Sequence, residues 1–143
     1  MTESGRQRIG IAVVIRHTSV LVGERSSAVS LPGLAEFPGG KCDSQELPRV
    51  CAVRECQEEA GIVVEPQSQL ATISWDYEHG NVELHFWLCR PVSDVPDDFR
   101  LLTPFRWVEV SELHALNFPE ANAAVIKLLQ QQFAEPHADG AAS

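Results

Sequence analysis

The chain has 143 residues, of which 44% are hydrophobic and 22% charged, as expected for one globular domain with one core. Its formal net charge of −9 at pH 7 disfavours binding to a nucleic acid polymer, which needs a basic surface. A small polyphosphate is not excluded, but it would need bridging cations. The sequence contains no apolar run of membrane-spanning length and begins without an apolar signal core, so we expect a cytoplasmic protein without membrane contact.

The pattern of β-branched residues, turn residues and helix signals predicts a small α/β fold. Pro48 suits the first turn of a helix and Gly61 suits the position just after its end. The predicted elements are strands at 8–17 and 20–24, a loop at 26–36, a helix at 47–60, strands at 69–77 and 81–90, a polar connection at 91–104, a strand at 105–110, a helical turn at 111–116 and a helix at 119–133. We expect a flexible N-terminus over 1–7, one domain over 8–134 and a flexible C-terminal tail over 135–143.

The apolar sides of the two helices and the cysteines complete the predicted core. We expect the buried side chains of the helices to be Ala52, Val53, Cys56 and Ala60, then Val125, Ile126, Leu128, Leu129 and Phe133. The four cysteines form no C-x-x-C pair, so we interpret them as reduced and mostly buried thiols.

Three carboxylates on the first helix are the strongest chemical signal. Glu55, Glu58 and Glu59 are spaced i, i+3 and i+4, which places them on one helical face. Three negative charges this close repel one another unless something compensates, and a divalent cation with oxygen ligands is the natural candidate. The plainer alternative is a solvated acidic helix face.

The sequence around these carboxylates resembles the Nudix box, G-x5-E-x7-R-E-U-x-E-E-x-G-U, where U is a bulky apolar residue. All seven fixed positions are occupied, by Gly40, Glu46, Arg54, Glu55, Glu58, Glu59 and Gly61. The one departure is Cys56 at an apolar position, where cysteine behaves as a small hydrophobe.

This resemblance implies an α/β/α sandwich with a central mixed β-sheet and a Mg²⁺-dependent hydrolase, in which Mn²⁺ can replace Mg²⁺. Divalent ions can activate water near phosphorus and neutralise the phosphate oxygens. The family pattern makes Glu55, Glu58 and Glu59 the metal ligands, together with the carbonyl of Gly39. Arg54 and Glu46 would pair across the loop and the helix to orient the site; an ordinary surface ion pair is the alternative.

The segment from Glu36 to Lys41 and the run from Asn117 to Asn122 resemble MutT-type members, which hydrolyse 8-oxo-dGTP. By that resemblance, Asn122 would read the base and Phe37 would pack beside it, although Asn122 could instead cap the last helix and Phe37 could simply fill the core. Arg25 and Lys41 would contact phosphates or be ordinary surface cations.

Two departures from the MutT pattern leave the substrate and the general base open. The loop at 26–36 contains no histidine, with Ser30 near the usual position, and the run 101–106 holds no carboxylate, unless Asp97 or Asp98 substitutes. The general base is therefore Glu58, Glu55 or one of these aspartates. The alternative substrates are CTP, a modified pyrimidine nucleotide or another nucleoside diphosphate derivative. A nucleotide-sensing domain without turnover is a third reading. The sequence allows a monomer or a homodimer.

Overall fold

The computed structural model describes residues 6–25, 33–77, 80–96 and 98–134. Residues 1–5 of the N-terminus that was expected to be flexible over 1–7, the expected tail at 135–143, most of the predicted 26–36 loop including Ser30, and Asp97 lie outside these residues. Gln7, the last residue of that expected N-terminus, already belongs to the first strand. The strands are β1 (Gln7–Arg16), β2 (Ser19–Arg25), β3 (Leu34–Glu36), β4 (Gly39–Lys41), β5 (Val64–Tyr77), β6 (Gly80–Pro91) and β7 (Phe105–Glu109). The helices are α1 (Pro48–Ala60) and α2 (Ala123–Phe133), with 3₁₀ turns at Val110–Ala115 and Glu120–Asn122.

The strands form one mixed sheet, as predicted. The order β3-β2-β1-β6-β5 runs across it, with β4 also paired to β1 and β7 to β2. β1 and β6 run parallel over eight residue pairs, from Gln7 opposite Val82 to Val14 opposite Cys89, whereas the other pairings are antiparallel. The first strand is therefore bordered on both sides, and its residues 10–15 are buried.

Side chains that alternate along β1 face two separate clusters, one on each side of the sheet. Ala12 and Val14 pack with the buried side of α1. Ile11, Val13 and Ile15 pack on the opposite side with Val125 and Leu129 of α2, among others. One helix therefore covers each face, which gives the predicted α/β/α sandwich. None of the helices in the part of the chain that the structure describes is long and apolar enough to cross a bilayer.

The structure corrects several of the predicted elements. Leu34–Glu36 was expected to lie in a loop but is a short strand paired with β2, and Gly39–Lys41, for which no strand was predicted, is a short strand paired with β1. β5 begins five residues earlier than predicted, at Val64, and the predicted last helix opens with a 3₁₀ turn. On α1, Val53 was expected to be buried but is only partly buried, whereas Cys51 lies fully buried where α1 packs directly against Gly10 of β1. All four cysteines are free and buried, as predicted.

Candidate active site

The site lies where α1 packs against β1 and β4, so closely that β1 has room there only for a glycine, Gly10. A Cβ on Gly10 would lie 2.6 Å from the carbonyl oxygen of Pro48 and 2.8 Å from Cβ of Cys51. Gly10 pairs directly with Gly40 in the sheet, so the helix, β1 and β4 meet at one point. The close contact brings the carboxylates of α1 to the backbone of β4.

Two of the three predicted metal ligands reach that backbone. The Glu59 carboxylate accepts a hydrogen bond from the Gly39 N–H at 3.2 Å. The Glu55 carboxylate occupies the space beside Gly40, because a Cβ there would lie 2.5 Å from its Cδ. Glu58 points elsewhere: both of its oxygens lie 3.4 Å from Nη1 of Arg54, and its side chain is 59% exposed.

Arg54 connects the preceding loop to these glutamates. Its Nε and Nη2 each donate to one oxygen of Glu46 at 2.8 Å, and its Nη1 donates to Glu55 at 3.1 Å. This two-point pairing is the strong geometry for arginine and carboxylate. The Glu46 side chain is only 11% exposed whereas that of Arg54 is 32% exposed, so the pair is partly shielded from solvent. Arg54 Nη2 also reaches the carbonyl oxygen of Lys41 at 3.3 Å, which ties the guanidinium to the end of β4.

Hydrogen bonds from Arg54, and secondly from the backbone N–H of Asp43, lower the pKa of Glu46 from 4.5 to about 2. The same pairing raises the pKa of Arg54 above its already high ordinary value. Both partners are therefore charged across the whole neutral range. Burial raises the pKa of Cys51 to about 12, so its thiol keeps its proton and donates to the carbonyl of Gly40 at 3.2 Å.

The donor set fits a divalent cation in its chemistry. Carboxylate and carbonyl oxygens are the ligands that Mg²⁺ and Mn²⁺ prefer, and Glu55 and Glu59 approach the same Gly39–Gly40 backbone from one helix. Among the described residues, no three acidic, histidine or cysteine side chains already converge on one point. Arg54 lies between Glu55 and Glu58 and neutralises part of their charge. The ligand role of Glu55, Glu58, Glu59 and Gly39 stays a prediction.

A pocket of about 160 Å³ adjoins this backbone. It brings together Phe37, Gly39 and Asn122, three residues that the sequence singled out, and its lining is Ile9, Ile11, Glu36, Phe37, Gly39, Leu84, Pro119 and Asn122. Asn122 lies at the start of α2 but makes no capping hydrogen bond; its Nδ2 donates to the Pro119 carbonyl at 3.2 Å. Phe37 is 6% exposed, belongs to the core and contacts Phe118 with ring centroids 4.9 Å apart. It therefore both fills the core and lines the pocket.

The two predicted phosphate contacts are placed differently. Lys41 ends β4 beside the box, with its residue exposed and outside the lining of the 160 Å³ pocket. Arg25 ends β2, where it pairs with Leu34, and its side chain lies outside the described part of the structure. Both roles stay predictions.

Sequence reasoning missed the apolar wall of the pocket and the residue that supports Phe37. Ile9, Ile11 and Leu84 form the wall, and Phe118 packs on Phe37. Ile9 and Ile11 are two residues apart on β1 and so lie on the same face, and Leu84 of β6 pairs with Ile9. The alternation was visible in the sequence, but the parallel register that brings Leu84 beside it was not.

The run 101–106, which holds no carboxylate, is attached to the end of α1 through Leu102. A Cβ on Gly61 would meet the Leu102 side chain at 3.0 Å, and the Leu102 N–H donates to the Ala60 carbonyl at 3.0 Å. Gly61 adopts φ +78°, a conformation that favours glycine and ends α1. The loop that lacks a carboxylate is thus anchored to the end of the box helix by leucine. Asp98 is exposed, and its role as a substitute carboxylate stays a prediction.

The sequence matches the NUDIX domain over residues 10–128. This chain belongs to the Nudix family. It is 30% identical over 128 residues to the 8-oxo-dGTP diphosphatase of Escherichia coli, covering 87% of this chain and 98% of that protein. It is also 32% identical over 76 residues to the CTP pyrophosphohydrolase of E. coli, covering 53% and 56% respectively.

The fold agrees with the sequence matches. A solved MutT structure, from work on Aliivibrio salmonicida and Vibrio cholerae, superposes with a TM-score of 0.63 at 26% identity and covers 90% of this chain and 98% of its own. The chain is therefore a MutT-like Nudix hydrolase, as predicted from the box together with the segments Glu36–Lys41 and Asn117–Asn122, and the matched residues lie within the expected domain at 8–134. Nudix hydrolases generally use divalent metal ions.

Proposed function

We propose that this Nudix hydrolase is a Mg²⁺-dependent nucleoside triphosphate pyrophosphohydrolase that removes oxidised nucleotides such as 8-oxo-dGTP, with Mn²⁺ able to replace Mg²⁺. Water attacks the β-phosphorus, and the products are the nucleoside monophosphate and pyrophosphate. The observation that carries this proposal is one continuous surface. The Gly39 N–H donates to Glu59, and Gly39 also lines the pocket together with Phe37 and Asn122. A base in that pocket would place its phosphates beside the glutamates. Such an enzyme would act on the cytoplasmic nucleotide pool, as a monomer or homodimer.

The residues of the chain divide the work. Bound divalent ions would neutralise the phosphate oxygens and make water more acidic. Glu55, Glu58 and Glu59, with the Gly39 carbonyl, would hold them, and Glu46 would fix Arg54 so that it aligns Glu55 and Glu58. Of the three glutamates that contact Arg54, Glu58 is the most exposed, at 59% against 17% for Glu55. We therefore favour Glu58 over Glu55 as the general base. Arg25 and Lys41 would add positive charge on the phosphate side.

Base recognition would fall to Asn122 and Phe37. The Asn122 amide can donate and accept hydrogen bonds together, which suits the edge of a purine. Among the described residues, its Nδ2 donates to the Pro119 carbonyl of its own turn and its side chain makes no capping hydrogen bond, so a base can compete for it. Phe37, backed by Phe118, offers an immobilised ring beside the Ile9–Ile11 wall.

The CTP pyrophosphohydrolase relative supports a second candidate, hydrolysis of CTP, a modified pyrimidine nucleotide or another nucleoside diphosphate derivative. The missing histidine at 26–36 favours it too. A nucleotide sensor without turnover is less well supported because every box carboxylate is present.

A panel of nucleotides with purified protein and Mg²⁺ tests these candidates. It would include 8-oxo-dGTP, dGTP, CTP, 5-methyl-dCTP and ADP-ribose, ranked by kcat/KM. We expect 8-oxo-dGTP to rank first, with nucleoside monophosphate and pyrophosphate as products. A higher rank for CTP or 5-methyl-dCTP would replace the purine assignment. Tight binding without any product would support the sensor.

The variant Asn122→Ala tests base reading within the same panel. A two-point hydrogen bond to a base edge gives about 1–3 kcal/mol of discrimination, so the preference for 8-oxo-dGTP over dGTP should fall about 10-fold or more. Asn117→Ala is the matched control, since Asn117 is exposed and contributes a backbone carbonyl, which alanine retains, to the Ala35 N–H. An unchanged preference in Asn122→Ala would remove this residue from base recognition.

A further inference from the structure

The loop between β4 and α1 is held from one side by the first residues of β1. The N–H of Cys42 donates to the Arg8 carbonyl at 2.9 Å, and Nη2 of Arg8 donates to the carbonyl oxygens of Asp43 at 3.2 Å and Ser44 at 3.5 Å. Gln7 adds a longer contact, from Nε2 to the Cys42 carbonyl at 3.4 Å. Three successive loop carbonyls are thus held by side chains of one strand end.

The same loop positions Glu46. The Asp43 N–H donates to Oε1 of Glu46 at 3.0 Å, and the Glu46 N–H returns to the Asp43 carbonyl at 3.0 Å. Asp43 is therefore hydrogen-bonded to Glu46 on one side and to Arg8 on the other. Glu46 in turn presents both of its oxygens to Arg54. A shift of Asp43 would be transmitted directly to that pairing.

We propose that Arg8 is a positioning residue for hydrolysis: its guanidinium fixes the 42–46 loop, so that Glu46 holds Arg54 in register with Glu55 and Glu58. Arg8 touches neither the box carboxylates nor the substrate pocket. Its effect passes through the backbone of Asp43 and Ser44. A hydrogen bond from a charged donor is about twice as strong as a neutral one, which suits arginine to restrain carbonyls on a partly exposed loop.

The expected effect of Arg8→Ala is on the chemical step and on metal binding. The inference rests on the proposed function, because it assigns Arg8 to that reaction. Substitution of a residue that orients a metal ligand typically lowers metal affinity or activity by about 10–100-fold. Because Arg8 acts on the ligands through Glu46 and Arg54, we expect its loss to lower kcat by about 10-fold, the smaller end of that range. Binding of Mn²⁺ should weaken by a similar factor of about 10. KM for the nucleotide should change less than kcat, because the base pocket has no residue in this loop.

Three variants separate positioning from stability. Arg8→Lys keeps the charge but not the planar two-donor geometry, so it should recover part of the lost kcat. Arg6→Ala is the matched control: this arginine lies at the same strand end and donates to Asp76 at 3.1 Å and to the Val82 carbonyl at 3.4 Å, away from the loop. We expect Arg6→Ala to keep wild-type kcat and Mn²⁺ binding.

The experiment measures kcat and KM with Mg²⁺, together with Mn²⁺ binding by electron paramagnetic resonance without nucleotide. Weaker Mn²⁺ binding and lower kcat in Arg8→Ala, with partial recovery in Arg8→Lys, support the proposal. Wild-type values for both in Arg8→Ala, or an equal loss in Arg6→Ala, overturn it. If Arg8→Ala does not fold, the Arg8→Lys variant tests the proposal alone. Wild-type kcat and Mn²⁺ binding in Arg8→Lys would show that the charge of Arg8 is sufficient, and the positioning role would be rejected.

Failure of the proposed function gives a different result. A wild-type protein that hydrolyses no nucleotide in the panel would refute the reaction, while its Mn²⁺ binding could still be compared with that of Arg8→Ala. A wild-type protein that is active, with an unaffected Arg8→Ala variant, would refute only the role of Arg8.

Discussion

Replacing Gly40 by alanine should disable the site while leaving the fold intact. The added Cβ would lie 2.5 Å from Cδ of Glu55 and 2.7 Å from each of its carboxylate oxygens. Gly40 is not among the described residues with positive φ, so its backbone suits alanine. The clash is with the far end of a flexible side chain, which can move. The structure therefore predicts that Glu55, rather than β4, is displaced.

The size of that displacement follows from the distance. Carbon atoms rest comfortably at about 3.5 Å, so Cδ of Glu55 must retreat by about 1 Å. A misplacement of about 1 Å at a reacting centre can lower the rate about 100-fold, and we expect kcat of Gly40→Ala to fall by that order. Alanine in place of a compatible glycine also stabilises by about 0.4–1 kcal/mol through the unfolded state. The melting temperature should therefore stay within about 4 °C of wild type.

Two companion variants make the test specific. Gly23→Ala is the stability control, because its Cβ would meet the Phe105 ring at 2.8 Å, away from the glutamates; it should lower the melting temperature and keep kcat. Glu55→Asp retracts the carboxylate, so adding Gly40→Ala to it should cause little further loss. Wild-type kcat in Gly40→Ala, or fully additive losses in the double variant, would refute the reasoning that Glu55 must stay against Gly40.

Two further predictions concern the other acidic residues of the box. Glu58→Gln should lower kcat by about 100-fold, the scale of a lost general base or metal ligand, with little change in melting temperature because this side chain is 59% exposed; near-normal kcat would exclude Glu58 from both roles. The pKa of Glu46 is lowered from 4.5 to about 2 in the folded protein, so its pairing stabilises the fold fully above pH 4.5 and loses that effect as the pH falls towards 2. The difference in melting temperature between wild type and Glu46→Gln should therefore shrink below pH 4.5, and a constant difference from pH 7 to pH 2 would contradict this linkage.

The box helix could be predicted closely because its signals are local. Pro48 and Gly61 mark its ends by their own backbone preferences, and the structure places the helix one residue from the predicted start. The i, i+3 and i+4 spacing of the glutamates is equally local, but by itself it left a solvated acidic face as the alternative. In the structure Glu55 and Glu59 reach the Gly39–Gly40 backbone, whereas Glu58 lies beside Arg54, and their role as metal ligands stays a prediction. The pairing of Glu46 with Arg54 needed the family pattern, because a loop carboxylate carries no periodic signal.

The strand pairing of β4 could not be predicted, and the site depends on it. Two adjacent glycines suggest a turn, but Gly39 and Gly40 pair in register with Ile11 and Gly10. Strands this short carry no alternation of apolar and polar residues, so only the neighbouring β1 defines them. The closeness of α1 likewise follows from Gly10, thirty residues before Gly40 in the chain, and nothing local to either glycine reveals the contact.

The box and the base pocket differ in how they are assembled, and this difference bears on specificity. The glutamates and Arg54 come from one segment, residues 46–59, in which Arg54 is hydrogen-bonded to Glu46, Glu55 and Glu58. The pocket instead draws on β1, β3, β4, β6 and the 3₁₀ turn before α2, parts of the chain that meet only in the fold. If a base binds in this pocket, as proposed, substitutions at Leu84 or Asn122 should change the base that fits, because neither side chain contacts a box glutamate in the hydrogen bonds of the described residues. The search for this chain's substrate should therefore begin at the pocket wall, with the nucleotides named in its relatives, 8-oxo-dGTP and CTP.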